Sequence, residues 1–399
     1  MANNSDLLQQ QKNKIDNDTI PFRILFFHNT LPEYRIGWFL ELDKKANVEF
    51  VFTNEKQNRL DYGFEIEYDR VQKLKYKFLS TGKQGFKELK RIMKSVKKYD
   101  FVELPPIDSL REVIYSAYIV YCCKKAEVKI GFFWEKWDAP INKQPIERKI
   151  KNLILRVIPR SIYKHADIIF SPGRKNKEYF LSNGIEEEKI VWIPDVSETP
   201  NCSFIDIRKK YNISKSSILV LYLGRLLPQK GVKILIEAFA KINVKQNGEM
   251  NLLIAGDGED FENCKKLVKE LNLENIKFAG KVNPSERENY FKQSDIFVYP
   301  VTYYKGRVDV WGLTVNEALQ NNDIIIATDA VGSAYELINE DVNGYRVEPG
   351  NVEQLTDAII KSSKLINLQN TNKKNNELLE IFNFKNMAKL YIDAARRIC

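Results

Sequence analysis

The sequence predicts an α/β protein made of two doubly wound parallel-sheet domains in tandem. Three observations carry this prediction. Short apolar runs rich in β-branched and aromatic residues alternate with segments of helical periodicity. A proline-bearing polar stretch interrupts the pattern once, and the pattern then restarts. At 399 residues the chain is too long for one ordinary core and long enough for two.

In the first series, "FRILFFH" (22–28), "VEFVFT" (48–53), "FVEL" (101–104), "VKIGFFW" (128–134) and "DIIFSP" (167–172) read as strands, with helical patterns such as 85–98 and 108–125 between them. The run "VIYSAYIVYCC" at 113–123 is shorter than the roughly 18 residues of a membrane span and reads as a buried helix. "VWIPDVSETPN" (191–201) reads as the link between domains. The second series then runs through "SILVLYLG" (217–224), "NLLIAG" (251–256), "IKFAG" (276–280), "DIFVYP" (295–300) and "DIIIATD" (323–329). The expected limits are a flexible lead-in over 1–19, a first domain over 20–198, a second over 199–375, and a helix over 376–399 after the polar "NTNKKNN".

With 44% hydrophobic and 29% charged residues the composition is that of a globular protein. The polar N-terminus lacks the apolar core of a signal peptide, so a cytoplasmic protein is expected. Five cysteines show no metal-ligand spacing, and only two histidines are present, so no metal site is expected.

In doubly wound folds, ligands bind beyond the carboxyl ends of the strands. Two motifs occupy such loops. In "LGRLLPQKGVKILIEAFAKI" (223–242) a strand ends at Gly224 and the following loop carries Arg225 and Lys230. An arginine fork and a lysine point charge suit a diphosphate, although the loop alone is equally readable as solvated surface. In "DVWGLTVNEAL" (309–319), Gly312 permits a tight turn, and the amides of Leu313 and Thr314 at the helix start suit an anion. Glu317, one turn in, can accept hydrogen bonds from sugar or ribose hydroxyls. Asp309 and Glu317 alone would read as acids at the front of a helix; paired with the cationic loop, they read as a site.

The motif series "GRLLPQKGVKILIEAF", "LLIAGDGED", "IKFAGKV", "DVWGLTVNEAL", "IIIATDAVGSAYELI" and "NGYRVEPGN", within about 217–350, resembles the family 4 retaining glycosyltransferases of the GT-B fold, also called glycosyl transferases group 1. "HNTLPEYRIGWFLEL" (28–42) extends the resemblance more weakly into the first half. The resemblance implies two Rossmann-like domains facing a cleft, with a C-terminal helix returning to the first domain. It implies that Arg225 and Lys230 hold the diphosphate of a nucleotide-sugar donor, that Glu317 binds the ribose and that Asp309 contacts the transferred sugar. Gly224, Gly312, Leu313 and Thr314 would line the phosphate and sugar, and Gly280, Lys281 and Val282 the base. No metal or other cofactor is implied.

The chain departs from that family in carrying Asp309 where a glutamate is usual, which shortens the reach by about 1.5 Å. The loop from Thr302 to Val308 also looks longer and more basic than usual. Where many members carry a histidine, this chain has "FFWEKWDAP" (132–140). On the acceptor side, Glu135 and its neighbour Lys136 are candidates. Glu135 reads either as a base or hydroxyl ligand, or as a surface acid between packed tryptophans. His28 reads either as an acceptor or phosphate contact or as a packing residue, and Arg35 belongs to the same segment.

Charge is uneven along the chain. Residues 71–100 hold ten Lys and Arg against Glu88 and Asp100, and 141–165 hold seven against Glu147. These segments carry +8 and +6 while the whole chain carries +9, so the remainder is net acidic. Such segments read as a face for anionic lipid headgroups or as solvated helix faces. No nucleic-acid motif accompanies them. The expected function is transfer of a sugar, with retention, from a UDP- or GDP-sugar to a hydroxyl of a glycan or lipid-linked acceptor at the inner face of the membrane. The alternatives are an epimerase or phosphorylase on the same fold, and a non-catalytic nucleotide-sugar-binding protein at a membrane surface.

Overall fold

The central apolar runs become strands because each is buried on both faces, the environment that β-branched and aromatic side chains fill best in a parallel sheet. The computed structural model describes residues 22–54, 68–197, 202–246, 250–366 and 368–399. The lead-in expected over 1–19 lies outside the described residues.

The first sheet holds β1 (Arg23–His28), β2 (Asn47–Phe52), β3 (Lys75–Phe78), β4 (Phe101–Leu104), β5 (Lys129–Phe133), β6 (Ile168–Ser171) and β7 (Ile190–Trp192). Their order is β3-β2-β1-β4-β5-β6-β7. The second holds β8 (Ile218–Leu223), β9 (Met250–Ala255), β10 (Ile276–Gly280), β11 (Ile296–Tyr299), β12 (Ile324–Thr328) and β13 (Gly344–Val347), in the order β10-β9-β8-β11-β12-β13. Neighbours pair in parallel throughout, as at Ile24 with Val48 and Leu219 with Asn251. The α/β class and the two doubly wound domains are as the sequence predicts. Strands β3, β7 and β13 were not in that reading: they lie at sheet edges, where "KYKF" and "GYRV" mix charge with apolar residues.

The helices that matter below are α1 (Ile36–Asp43), α2 (Gly82–Met93), α3 (Leu110–Ala126), α4 (Ile146–Tyr163), α5 (Val232–Gln246), α6 (Arg287–Gln293), α7 (Leu313–Gln320), α8 (Gln369–Ile381) and α9 (Phe384–Ile398). Two expectations need correction. The 113–123 run is helical but only half buried: Ile119 and Cys123 face the core, while Ile114 and Tyr121 are exposed. The reason is that α3 lies on the outside of the sheet between α2 and α4, with one side turned outward.

"NTNKKNN" is not a loop before a single final helix but part of α8. Its polar residues serve as buried anchors: Thr371 Oγ1 donates to the Val342 carbonyl at 2.7 Å, and Asn343 Nδ2 donates to Asn375 Oδ1 at 2.9 Å. The chain breaks at Phe382, and Asn383 caps α9 by accepting from the Asn386 amide at 2.8 Å.

Helix α9 returns to the first domain and packs on α1. Gly37 makes room for it, since a Cβ there would lie 2.3 Å from the Phe384 ring. Tyr391 is buried against Phe26, Trp38 and Phe170, and its hydroxyl donates to Glu103 Oε2 on β4 at 2.8 Å. Phe382, where the chain crosses back, meets Trp192 and Trp311 with ring centroids 5.8 and 6.3 Å away. Strand order reverses between β1 and β4 in one sheet and between β8 and β11 in the other, so each domain offers one crevice at its carboxyl edge.

Candidate functional site

In the second domain, β8 stops at Leu223 and delivers Gly224, Arg225 and a short 3-10 turn, Pro228–Lys230. Strand β11 ends at Tyr299, across the switch point from β8. Lys230 reaches back over the Tyr299 ring, 4.9 Å from its centroid. It donates to the Tyr299 hydroxyl and to Asp309 Oδ2, both at 2.5 Å, and the Tyr299 hydroxyl donates to the same Asp309 oxygen at 2.6 Å. Burial pushes the Asp309 carboxyl up, but the Lys230 ammonium and the Tyr299 hydroxyl outweigh this and hold it below its ordinary value. Burial and the Asp309 charge push the Tyr299 phenol well up. Lys230 and Asp309, predicted on separate motifs, therefore form one ion pair, with 13% and 16% of their side chains exposed.

Asp309 is fixed through its backbone, its amide donating to the Ala330 carbonyl at 2.9 Å and its carbonyl accepting from Gly332 at 3.1 Å. Gly312 then turns the chain into α7 with φ of 86°, where a Cβ would stand 2.8 Å from Val331 Cγ1. Only glycine suits both demands. The amides of Leu313 and Thr314 stand in the first turn of α7, where a helix gives them no internal partner. Arg225 is exposed on the loop above, its carbonyl accepting from the Tyr222 hydroxyl at 2.7 Å.

Glu317 is buried and pairs with Arg287 at the start of α6. Burial pushes its carboxyl up, Arg287 opposes, and Glu33 from the first domain adds to the rise. Gly280, Lys281 and Val282 leave β10 at the sheet edge; Gly280 has φ of 71° and its carbonyl accepts from the Gly256 amide at 2.7 Å.

The first domain answers with a second cluster. Arg35, 1% exposed, donates through Nη1 to Asp195 Oδ1 at 2.5 Å and pairs with Glu135 through Nη2. Asp195 and Glu135 outweigh burial in raising the guanidinium's pKa, so Arg35 stays charged. Two carboxylates on one guanidinium leave an excess negative charge. Glu135 absorbs it: burial, then the Asp195 charge, pushes its carboxyl up against the pull of Arg35. His28 is buried, with Nδ1 2.8 Å from the Thr30 carbonyl. Burial and the nearby Arg35 push it down to about 3, so the ring is neutral. Lys136 turns to Asp138 at 3.6 Å, and Arg156 reaches the same acid at 2.7 Å.

The two halves are linked directly. Trp137 Nε1 donates to the Val310 carbonyl, next to Asp309, at 3.0 Å. Asn316 Nδ2 on α7 donates to the Asp195 carbonyl, and Ser197 Oγ to the Leu313 carbonyl, each at 3.0 Å. A cavity of about 740 Å³ starts beside Val310 and is walled by His28, Asn29, Asp108, Trp134 and Glu135. Among the described residues, no three His, Cys, Asp or Glu side chains are grouped to hold a metal ion.

Sequence reasoning missed Tyr299, Asp195 and Arg287. In the sequence Tyr299 reads only as the end of a strand and Asp195 as part of a link between domains, and Arg287 carries no motif. Only the position of Tyr299, at a strand's carboxyl end before a proline, was a usable signal.

Residues 203–378 match the family described as glycosyl transferases group 1. An uncharacterized glycosyltransferase of Methanocaldococcus jannaschii is 28% identical over 62% of this chain and 63% of its own length. The alpha-monoglucosyldiacylglycerol synthase of Streptococcus pneumoniae is 21% identical over 72% of this chain and 65% of its own. The chain thus spans less than two thirds of either relative. The crystal structure of HepE from Anabaena, in complex with UDP and glucose, superposes with a TM-score of 0.68 at 14% identity, covering 94% of this chain and all of that one. The match over the second domain and the architecture over the whole chain agree on a GT-B fold whose second half is similar to glycosyl transferases group 1.

Proposed function

We propose that the protein is a retaining glycosyltransferase that moves a sugar from a nucleotide-diphosphate sugar, UDP- or GDP-linked, to a hydroxyl of a glycan or lipid-linked acceptor, acting at the cytoplasmic face of a membrane without a catalytic metal. The observation that carries this reading is the Lys230–Asp309–Tyr299 cluster at the switch point, with Arg225 above it and the N-terminus of α7 beside it.

As the bond from sugar to diphosphate breaks, negative charge grows on the leaving phosphate. An ammonium has three N–H groups; Lys230 engages two with Tyr299 and Asp309, and the third can meet a phosphate oxygen. Arg225 and the α7 amides supply further donors, and preorganised groups of this kind stabilise a developing charge by roughly 3 kcal/mol each. Asp309 faces the positive charge that grows on the sugar ring. For Glu317 to bind a ribose, its carboxylate must keep one oxygen available beside Arg287. The names of two similar proteins support the substrates: HepE is seen with UDP and glucose, and the pneumococcal synthase forms a glucosylated diacylglycerol.

Thermal shift with a panel of UDP-, GDP- and ADP-sugars tests the donor site, since a ligand bound only by the folded state raises the melting temperature. A rise with one nucleotide class is expected, and no rise with any member overturns the reading. Turnover of the best binder, lost in Lys230→Ala and in Glu317→Ala, separates an enzyme from a binding protein.

A further inference from the structure

Large apolar side chains at the surface are ordinarily scattered. Here they are not. Among the described residues, eight of the fifteen exposed large hydrophobic side chains fall between 110 and 158. Leu110, Ile114 and Tyr121 share one side of α3; Ile146, Ile150 and Val157 repeat the same spacing on α4, which packs beside it. Leu110 is 71% exposed and Val157 is 65% exposed. On the other flank of α3, α2 turns Lys83, Lys87, Lys90 and Arg91 outward, with Lys94 exposed just past its end, and contacts α3 through Phe86 on Tyr118. An apolar strip beside a row of cations on one face matches the chemistry of an anionic bilayer: acyl boundary for the strip, phosphate headgroups for the lysines.

The cavity beside Val310 reaches this face. Its outer wall is formed by Leu110 and Val113 of α3 and by Arg156, Ile158 and Pro159 of α4. Leu110 therefore belongs both to the cavity and to the exposed strip, and Ile158, next to Val157, is exposed where the cavity opens. The inner end carries the polar groups Asn29, Asp108 and Glu135 beside the Asp309 segment.

We infer that the α3–α4 face is where the protein lies on an anionic bilayer, and that the gap between these helices is the portal by which an acceptor with a lipid chain enters from the membrane. The chain rests against Leu110 and Ile158, and the hydroxyl-bearing head extends to Asn29, Asp108 and Glu135. This rests on the transferase reading above, and deepens it by assigning the acceptor's route and its amphiphilic class.

The test uses the full chain with vesicles of phosphatidylglycerol and phosphatidylcholine, against vesicles of phosphatidylcholine alone. Salt-sensitive binding to the first is expected, and Ile146→Asp/Val157→Asp should weaken it by about tenfold. The melting-temperature rise given by the donor nucleotide should be unchanged, showing that the variant is folded. A diazirine-bearing phosphatidylglycerol in the same vesicles should cross-link to the strip at Ile114 and Val157 and, inside the cavity, to Trp134 and Pro159; Val113→Trp, which narrows the gap, should remove only the inner adducts while leaving vesicle binding. Binding that survives the double substitution overturns the docking face. Cross-links that spare Trp134 and Pro159 overturn the portal. Self-association through this face without vesicle binding overturns both in favour of a protein partner. In each case nucleotide binding still stands or falls by its own measurement.

Discussion

Lys230 and Asp309 have each given up most of their water, and each is tolerated because the other neutralises it. Removing one partner leaves a nearly buried charge alone, so Lys230→Ala should cost roughly 3 kcal/mol of unfolding free energy. Adding Asp309→Asn should recover part of that loss in chemical denaturation while turnover stays absent. If the double variant is no more stable than the single one, the pair is not what holds the cluster. Asp309→Asn alone should lower kcat while the nucleotide Kd changes little, and equal losses in both would remove Asp309 from the sugar side. Lys230, Asp309 and Glu317 were legible because each sits in a motif with fixed spacing. Tyr299, Arg287 and Asp195 were not, because they become partners only through strand order, and Asp195 lay in what read as a linker.

At the scale of elements, the start of α7 depends on one backbone conformation. Gly312→Ala meets both an unfavourable φ and the Val331 methyl, and should cost roughly 1–3 kcal/mol in denaturant unfolding. Because the α7 amides would tilt with the turn, donor affinity should fall as well; a variant of unchanged stability would remove the glycine's conformational role. Central strands such as β1 and β8 could be read from their apolar runs, since a strand covered on both faces has little use for polar residues. Edge strands β3 and β13 could not, because a half-covered strand accepts charge. Helix α8 escaped for a related reason: Thr371 and Asn375 read as solvent-loving, but their hydrogen bonds lie inside the protein.

At the scale of the whole molecule, Glu103 joins the last helix to the first domain through Tyr391. Burial pushes its carboxyl from the ordinary 4.5 up to about 8, against the hydrogen bonds from Tyr391 and the Phe133 amide. The folded state therefore keeps a proton that the unfolded chain releases, and stability present below pH 4.5 is lost as pH rises toward about 8. Glu103→Gln, the shape of the neutral acid, should flatten that slope by up to roughly 1.4 kcal/mol per pH unit, measured as unfolding free energy from pH 5 to pH 8. An unchanged slope would mean that Glu103 ionises freely in the fold.

The two domains and their cleft were legible from the restart of the pattern. Their joining was not, because it depends on where the chain returns. It leaves the first domain after Trp192 and comes back at Phe382, and those two rings touch. The hydrogen bonds from Trp137 to Val310, Asn316 to Asp195 and Ser197 to Leu313 tie the same two halves, so turning one domain against the other must keep or break those three bonds. A ligand spanning Lys230 and Glu135 would therefore bridge two halves that are already bonded to each other, and amide or side-chain exchange at those three bonds would report whether it tightens or loosens the seam.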